Sequence, residues 1–247
     1  MFFNGALTSL PQTILLDIEG TTTPMEFVHQ VLFPFARTHV ESFLEDRWSD
    51  AAVGRDIEGL RKEHAADRLQ GNAPPAWQED SPGALHESVL AYFGWLMDRD
   101  RKSPALKSLQ GKIWEAGYRD GLLKGEVYQD VPRAFERWRR RGKDISIFSS
   151  GSTLAQKLLF GYSNHGDLTP MIRAFFDTQV GSKADVESYR QIAARLELAA
   201  PNILFISDVT AELDAAREAG MQTALCVRSA TRPLSAHPIV HSLDEIV

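Results

Sequence analysis

The sequence predicts an α/β protein, a parallel sheet flanked by helices and interrupted by a helical insert. Three observations predict it. From about residue 122 onward, short apolar runs alternate with amphipathic stretches, the pattern of repeated βαβ units. One more apolar run, Ile14-Leu15-Leu16, stands far upstream. Between the two, residues 25–121 are patterned for helices almost throughout, which is too long for a simple crossover. The expected partition is a core from 1–24 and 122–247 with a helical cap inserted over 25–121.

Residues 13–23, TILLDIEGTTT, open the core. A short apolar run bounded by Gly and Pro suits a buried strand. In residues 25–48, Phe27, Val31, Phe35, Val40, Phe43 and Leu44 recur at roughly helical spacing, and Pro34 is expected to break or kink the element. Residues 50–70 form a second helix with Leu60 and Leu69 on one side. The segment QGNAPPAWQEDSPG reads as a loop. Residues 84–100 are helical again, through Leu85, Val89, Leu90, Phe93, Leu96 and Met97. A helix over 103–121 starts with Ser103 as N-cap and Pro104 at its first position.

The α/β rhythm follows. VPRAFERWRRR (131–141) is an amphipathic helix stopped at Gly142. ISIFSSGS (145–152) is a strand running into a small-residue turn, and 153–161 is a helix. AFFDTQV (174–180) is a strand, followed by a loop and helix in GSKADVESYRQIAARLEL. NILFISDVT (202–210) is a strand that ends in a carboxylate, 211–220 is a helix, and TALCVRS (223–229) is the last strand. RPLSAHPIVHSLDEIV reads either as a strand and helix at the sheet edge or as a loose tail.

Composition narrows the function. The 247 residues carry a net charge of −6, which argues against a broad nucleic-acid or anionic-membrane surface. No apolar run reaches membrane-spanning length. The start, MFFNGALTSLPQT, lacks the basic region of a secretory signal. A single cysteine, Cys226, excludes an intrachain disulfide, and the cytoplasm is the expected setting.

Four stretches carry chemistry, each at a strand's carboxyl end or in the loop after it, where open α/β sheets bind ligands. Asp17 can attack phosphorus to form an aspartyl phosphate. Glu19 can protonate the leaving oxygen and then activate water. Ser149 and Ser150, before a helix, suit a phosphate site. Lys183, in a Gly-Ser-Lys loop, can neutralise phosphate and carboxylate charge. Asp208 can complete an oxygen shell for Mg²⁺ with Asp17, with Glu212 in support. Each has a plainer reading: a solvated acidic turn, a helix cap at the serines, a surface lysine, and an N-cap at Asp208. His29 and His39 read as surface or core-edge residues of the cap. Trp114, Phe135 and Trp138 read as packing, and Arg139–Arg141 as a solvated helix end.

LLDIEGTTTP, VYQDVPRAFERW, IFSSGSTLAQKLLFGYSNHGDL, FFDTQVGSKADVESYRQIA and ILFISDVTAELDAAREAGM together resemble the haloacid-dehalogenase superfamily, and within it the enolase-phosphatase family of methionine salvage. The resemblance implies a Rossmann-like core with a helical cap. Carried over by position, Asp17 is nucleophile and metal ligand, and Glu19 is the second acid and is also at the metal. Ser149 and Ser150 bind substrate, Lys183 is the catalytic and substrate-binding lysine, and Asp208 is the remaining ligand of Mg²⁺. The second acid is usually aspartate in the superfamily and is glutamate here, as in this family. The implied reaction enolises 2,3-diketo-5-methylthiopentyl-1-phosphate and then removes its phosphate to give an acireductone. The implied form is a monomer whose partner is a small phosphoester. A phosphatase of the same fold acting on another small phosphoester is the alternative.

Overall fold

The computed structural model describes residues 11–101, 103–229 and 234–246. Most of the stretch read for a secretory signal lies outside them. In chain order the elements are β1 (Thr13–Leu16), a single turn α1 (Met25–Phe27), α2 (Phe33–Arg47), α3 (Ala51–Leu69), α4 (Pro82–Asp98), α5 (Pro104–Arg119), α6 (Asp130–Arg140), β2 (Asp144–Phe148), α7 (Thr153–Gly161), β3 (Ala174–Phe176), α8 (Val186–Leu196), β4 (Ile203–Ser207), α9 (Thr210–Glu218), β5 (Gln222–Cys226) and β6 (Ile239–Val240). They fall into two compact units, Met1–Val28 with Leu123–Val247, and His29–Leu122.

The first unit is built on one parallel sheet of order β3-β2-β1-β4-β5-β6. β1 is central, and all four of its residues are buried, as a strand covered on both faces requires. Its register pairs Leu16 with Ile147 on one side and with Ile206 on the other. The chain reverses its direction of progress across the sheet between β1 and β4, so the loops after these neighbouring strands diverge and leave a crevice. Beneath that crevice Leu15, Phe148, Tyr189, Ile192, Phe205 and Leu213 form part of one buried cluster. Each such fully buried large side chain stabilises the fold by roughly 1.5–3 kcal/mol.

The second unit packs α2 to α5 around Leu44, Leu60, Val89, Phe93, Leu96, Leu109 and Ile113. Asp50, Ser81 and Ser103 cap the starts of α3, α4 and α5. A polar knot lies inside it: the buried Asp67 accepts from Tyr92 Oη at 2.7 Å, Asn72 Nδ2 at 2.9 Å and Arg101 Nη2 at 2.6 Å. His39 stacks on Phe35 and His29 is exposed.

Several expectations need correction. The break expected at Pro34 takes the form of a π-helical turn at Val28–Leu32, after which α2 starts with Pro34 in its first turn. Leu69 is 90% exposed, because it ends α3 rather than facing its packed side. The strand expected over 174–180 stops at Phe176, where Asp177 turns its carboxylate back to the Gln179 N–H and starts a 3₁₀ turn. β5 is not the last strand. Beyond it, Ile239–Val240 pairs with Leu225 and Cys226, and a 3₁₀ turn at Leu243–Glu245 carries a capping box from Ser242 and Glu245. Among the described residues no helix is long and apolar enough to cross a membrane.

Candidate active site

Asp17 follows β1 directly, and its N–H donates to Ile206 O of β4 at 3.0 Å, continuing the ladder by one step. Its side chain is buried to 6% exposure. Asp17 Oδ1 accepts from the Ile18 N–H at 2.7 Å and from Lys183 Nζ at 2.6 Å. Lys183 Nζ also lies 2.6 Å from Glu212 Oε2. Ser207 Oγ, at the end of β4, donates to Glu212 Oε2 at 2.9 Å and lies 3.4 Å from Asp17 Oδ2. Asp17 and Lys183 from two loops, Ser207 from the end of β4 and Glu212 from the first turn of α9 thus close one polar cluster at the sheet's carboxyl edge.

Lys183 is held from below, since Tyr189 Oη donates to its carbonyl at 2.6 Å. The turn before it needs Gly181, whose φ of 127° is open to glycine and which has Ser188 Oγ against it where a side chain would stand. Burial is the largest influence on Lys183 and opposes its charge, but Asp17 and Glu212 outweigh it and hold the ammonium above the ordinary lysine range. Burial, then the charge of Asp17, push Glu212 up from its usual value.

Asp208 follows β4 and lies against Gly20, with its Oδ2 where a Cβ on that glycine would stand. Burial first, and Asp17 second, push Asp208 up to about 6. Helix α9 begins after Val209 with no side-chain cap, so Asp208 is not engaged as an N-cap. The loop after β1 is a single tight turn in which Ile18 O accepts from the N–H groups of Thr21, Thr22 and Thr23 at 3.2, 2.8 and 2.9 Å. That turn carries Glu19 and Gly20, with Gly20 at φ 69°.

Ser149 is buried in the turn after β2, where its Oγ accepts from the Gly151 N–H at 3.2 Å, and Ser150 is exposed beside it. The cap of α7 is neither of them but Ser152, which accepts from Ala155 N. Ser149 and Ser150 are therefore not consumed in starting the helix.

Asp208 and Glu212 both feel the negative charge of Asp17, with Lys183 acting the other way. No group of three or more acidic, histidine or cysteine side chains at ligand spacing occurs among the described residues. Mg²⁺ does not require one: it is held typically by one or two carboxylates with water and phosphate oxygens. Excess negative charge and all-oxygen donors fit that ion.

Ser207 and Tyr189 were not singled out in the sequence. Ser207 is the final residue of an apolar strand and Tyr189 is one of the large buried side chains, so neither has a local signal.

The profile of the family described as haloacid dehalogenase-like hydrolase matches residues 11–220. The "Enolase-phosphatase E1" of Synechococcus elongatus is 49% identical over 237 residues, covering 95% of this chain and 97% of the relative. The protein of the same description from Serratia proteamaculans is 43% identical, covering 95% and 96%. Among solved structures, the UTR4 protein of Saccharomyces cerevisiae superposes with a TM-score of 0.75 at 32% identity, covering 94% of this chain and 98% of that one. With its six-stranded parallel sheet and its near full-length likeness to these relatives, the chain belongs to the enolase-phosphatase family of haloacid dehalogenase-like hydrolases.

Proposed function

We propose that the protein is a Mg²⁺-dependent cytoplasmic enzyme that enolises 2,3-diketo-5-methylthiopentyl-1-phosphate and then removes its phosphate, yielding the acireductone 1,2-dihydroxy-3-keto-5-methylthiopentene for methionine salvage. The single observation that carries this reading is the Lys183 ammonium bridging Asp17 and Glu212 at 2.6 Å each, at the edge of the sheet where Asp208 also lies. An unpaired aspartate would repel a phosphate dianion. One whose charge is already met by a fixed ammonium can approach it.

In the phosphatase step an oxygen of Asp17 attacks phosphorus and the P–O ester bond breaks. Glu19 gives its proton to the departing oxygen. Glu19 then takes a proton from water, whose oxygen attacks the aspartyl phosphate, freeing inorganic phosphate and restoring Asp17. The hydroxyls of Ser149 and Ser150, with Lys183, hold the phosphoryl oxygens. Asp17 and Asp208 would hold Mg²⁺ through their carboxylates and Glu19 through its main-chain oxygen, leaving the Glu19 carboxyl for proton transfer; the ion would neutralise charge at the phosphate and polarise the adjacent carbonyl. Glu212 and Ser207 orient Lys183 and Asp17.

The test is a stopped assay with the diketone phosphate, following enol absorbance and phosphate together. Enol appearing before phosphate supports the proposal. Phosphate without an enol shows a phosphatase for another phosphoester, and full activity in Asp17→Asn removes the aspartyl-phosphate step.

A further inference from the structure

Arg228 lies in the loop after β5, 207 residues from Thr21, yet it is wired to the loop that carries Glu19. Its Nε donates to Thr21 O at 3.0 Å, and its Nη2 donates to the same oxygen. Its Nη1 donates to Asp130 Oδ2 at 2.6 Å. Its guanidinium lies 4.2 Å from the centre of the Tyr128 ring. The neighbouring carbonyl, Thr22 O, accepts from the Tyr128 N–H at 3.0 Å.

Asp130 is itself buried and fixed. The oxygen that receives Arg228 also accepts from Ser242 Oγ at 2.9 Å and from the Leu243 N–H at 2.6 Å. The C-terminal segment is docked in turn on α6: Arg137 donates to the carbonyls of Leu243 and Ile246, and Trp138 Nε1 to Ile246 O. A line of donors and acceptors therefore runs from the C-terminal segment through Asp130 and Arg228 to the carbonyl two residues beyond Glu19.

The turn at 18–23 is closed by its own hydrogen bonds, three to Ile18 O and one from the Gly20 N–H to Thr23 O, so what it takes from outside is its placement at the sheet edge. A hollow of about 440 Å³, lined by Gly20, Glu26, Tyr128, Asp208, Val227 and Arg228 among others, borders the turn at Gly20 beside Arg228. The guanidinium is planar with its donors in a fixed fork, so two bonds to one carbonyl and a third to Asp130 set an orientation and not just a distance.

We propose that Arg228 is a positioning residue that holds the Glu19 turn in register with Asp17, with Asp130 and the C-terminal segment as its anchor. The proposal rests on the reading of Glu19 as the acid and base of the phosphatase step. A misplacement of about 1 Å costs on the order of 10²-fold in rate. Arg228→Gln therefore lowers kcat by about that factor while KM stays within about threefold, since Arg228 does not touch substrate. Arg228→Lys keeps the charge but lacks the planar fork that fixes orientation, and recovers part of the loss. Asp130→Asn lowers kcat in the same direction by loosening the fork.

The experiment measures kcat and KM for phosphate release by wild type, Asp17→Asn, Arg228→Gln, Arg228→Lys and Asp130→Asn in Mg²⁺. Each rate is normalised to the folded fraction from thermal melts. A fall in kcat at constant KM, partly restored by lysine, is the expected result. Wild-type kcat in folded Arg228→Gln or Arg228→Lys, with only the melting temperature lowered, makes the network purely structural and overturns the proposal. A rise in KM alone places Arg228 on the substrate and overturns it too. A wild type without phosphate release, or an active Asp17→Asn, sinks the parent reading and the proposal with it.

Discussion

Lys183 Nζ stands 2.6 Å from Asp17 Oδ1 although 166 residues separate them in the chain, and the same nitrogen reaches Glu212 at an equal distance. One ammonium thus serves two buried carboxylates. Replacing it by a neutral side chain leaves both acids short of a donor in a site that water barely enters.

Lys183→Met is therefore expected to lower phosphate release at saturating substrate by about 10²–10³-fold, the usual loss when one fixed charge is taken from a reacting oxygen. Stability also falls, since removing one partner of a buried pair typically costs about 3–5 kcal/mol. Steady-state kinetics with thermal melts checks both. A variant within a few-fold of wild type would mean that Lys183 is structural.

Asp208 carries the opposite problem, a carboxylate pressed by burial and by Asp17 with too little positive charge nearby. Mg²⁺ is expected to raise the wild-type melting temperature, and chelation to reverse it. At a hundredfold excess over Kd the gain is about 2.7 kcal/mol, or roughly 5–10 °C for a chain of this size. Asp208→Asn should lose that shift and, in the absence of the ion, melt no lower than wild type, because the substitution removes a repelled charge. Melts of both proteins with and without Mg²⁺ decide it.

How far the sequence discloses all this depends on what each residue needs in order to be read. β1, β2 and β4 are apolar runs buried on both faces, so a local count of hydrophobic residues finds them. The turns that end them are small, polar and Gly-bearing, so Asp17, Ser149 and Asp208 can be placed at strand ends before any coordinates exist. The short elements are harder. β3 is legible as a strand but drawn too long, since Asp177 ends it, and β6 spans two residues, too few to show a period. The supports of the site are hidden for a related reason. Ser207 looks like part of a strand and Arg228 like a surface arginine, because what they touch is distant in sequence. Capping is decided by a single hydrogen bond, and only coordinates show that Ser152 and not Ser149 starts α7.

Gly20 tests how closely the Glu19 turn and Asp208 are fitted. Its φ of 69° costs an L residue about 1–2 kcal/mol, and a Cβ there would overlap Asp208 Oδ2. Gly20→Ala is expected to displace Asp208, lowering kcat/KM at least about tenfold and weakening the stabilisation by Mg²⁺. The assay and melts above suffice. Unchanged Mg²⁺ stabilisation would show that Asp208 can move without loss.

The pH dependence of stability should bear the mark of His237, which is buried between Thr223 Oγ1 at 2.8 Å and Asp214 Oδ1 at 3.2 Å. Burial, and next the charge of Arg217, lower its pKa below the usual histidine value of 6.5, with Asp214 pulling the other way. In the unfolded chain the ring takes up a proton as pH falls through 6.5, while in the folded chain it resists doing so. The unfolded state then binds more protons, so the contribution of His237 is full above that pH and is lost as pH falls toward the depressed folded value. His237→Gln keeps a polar group beside Thr223 but cannot titrate. The wild-type melting temperature should therefore drop more steeply than that of His237→Gln between about pH 7 and 5. Comparing the two proteins cancels the carboxylates they share, Asp208 included. Parallel curves would mean that the ring gains its proton in the folded protein as readily as in water, and that Asp214 outweighs the burial.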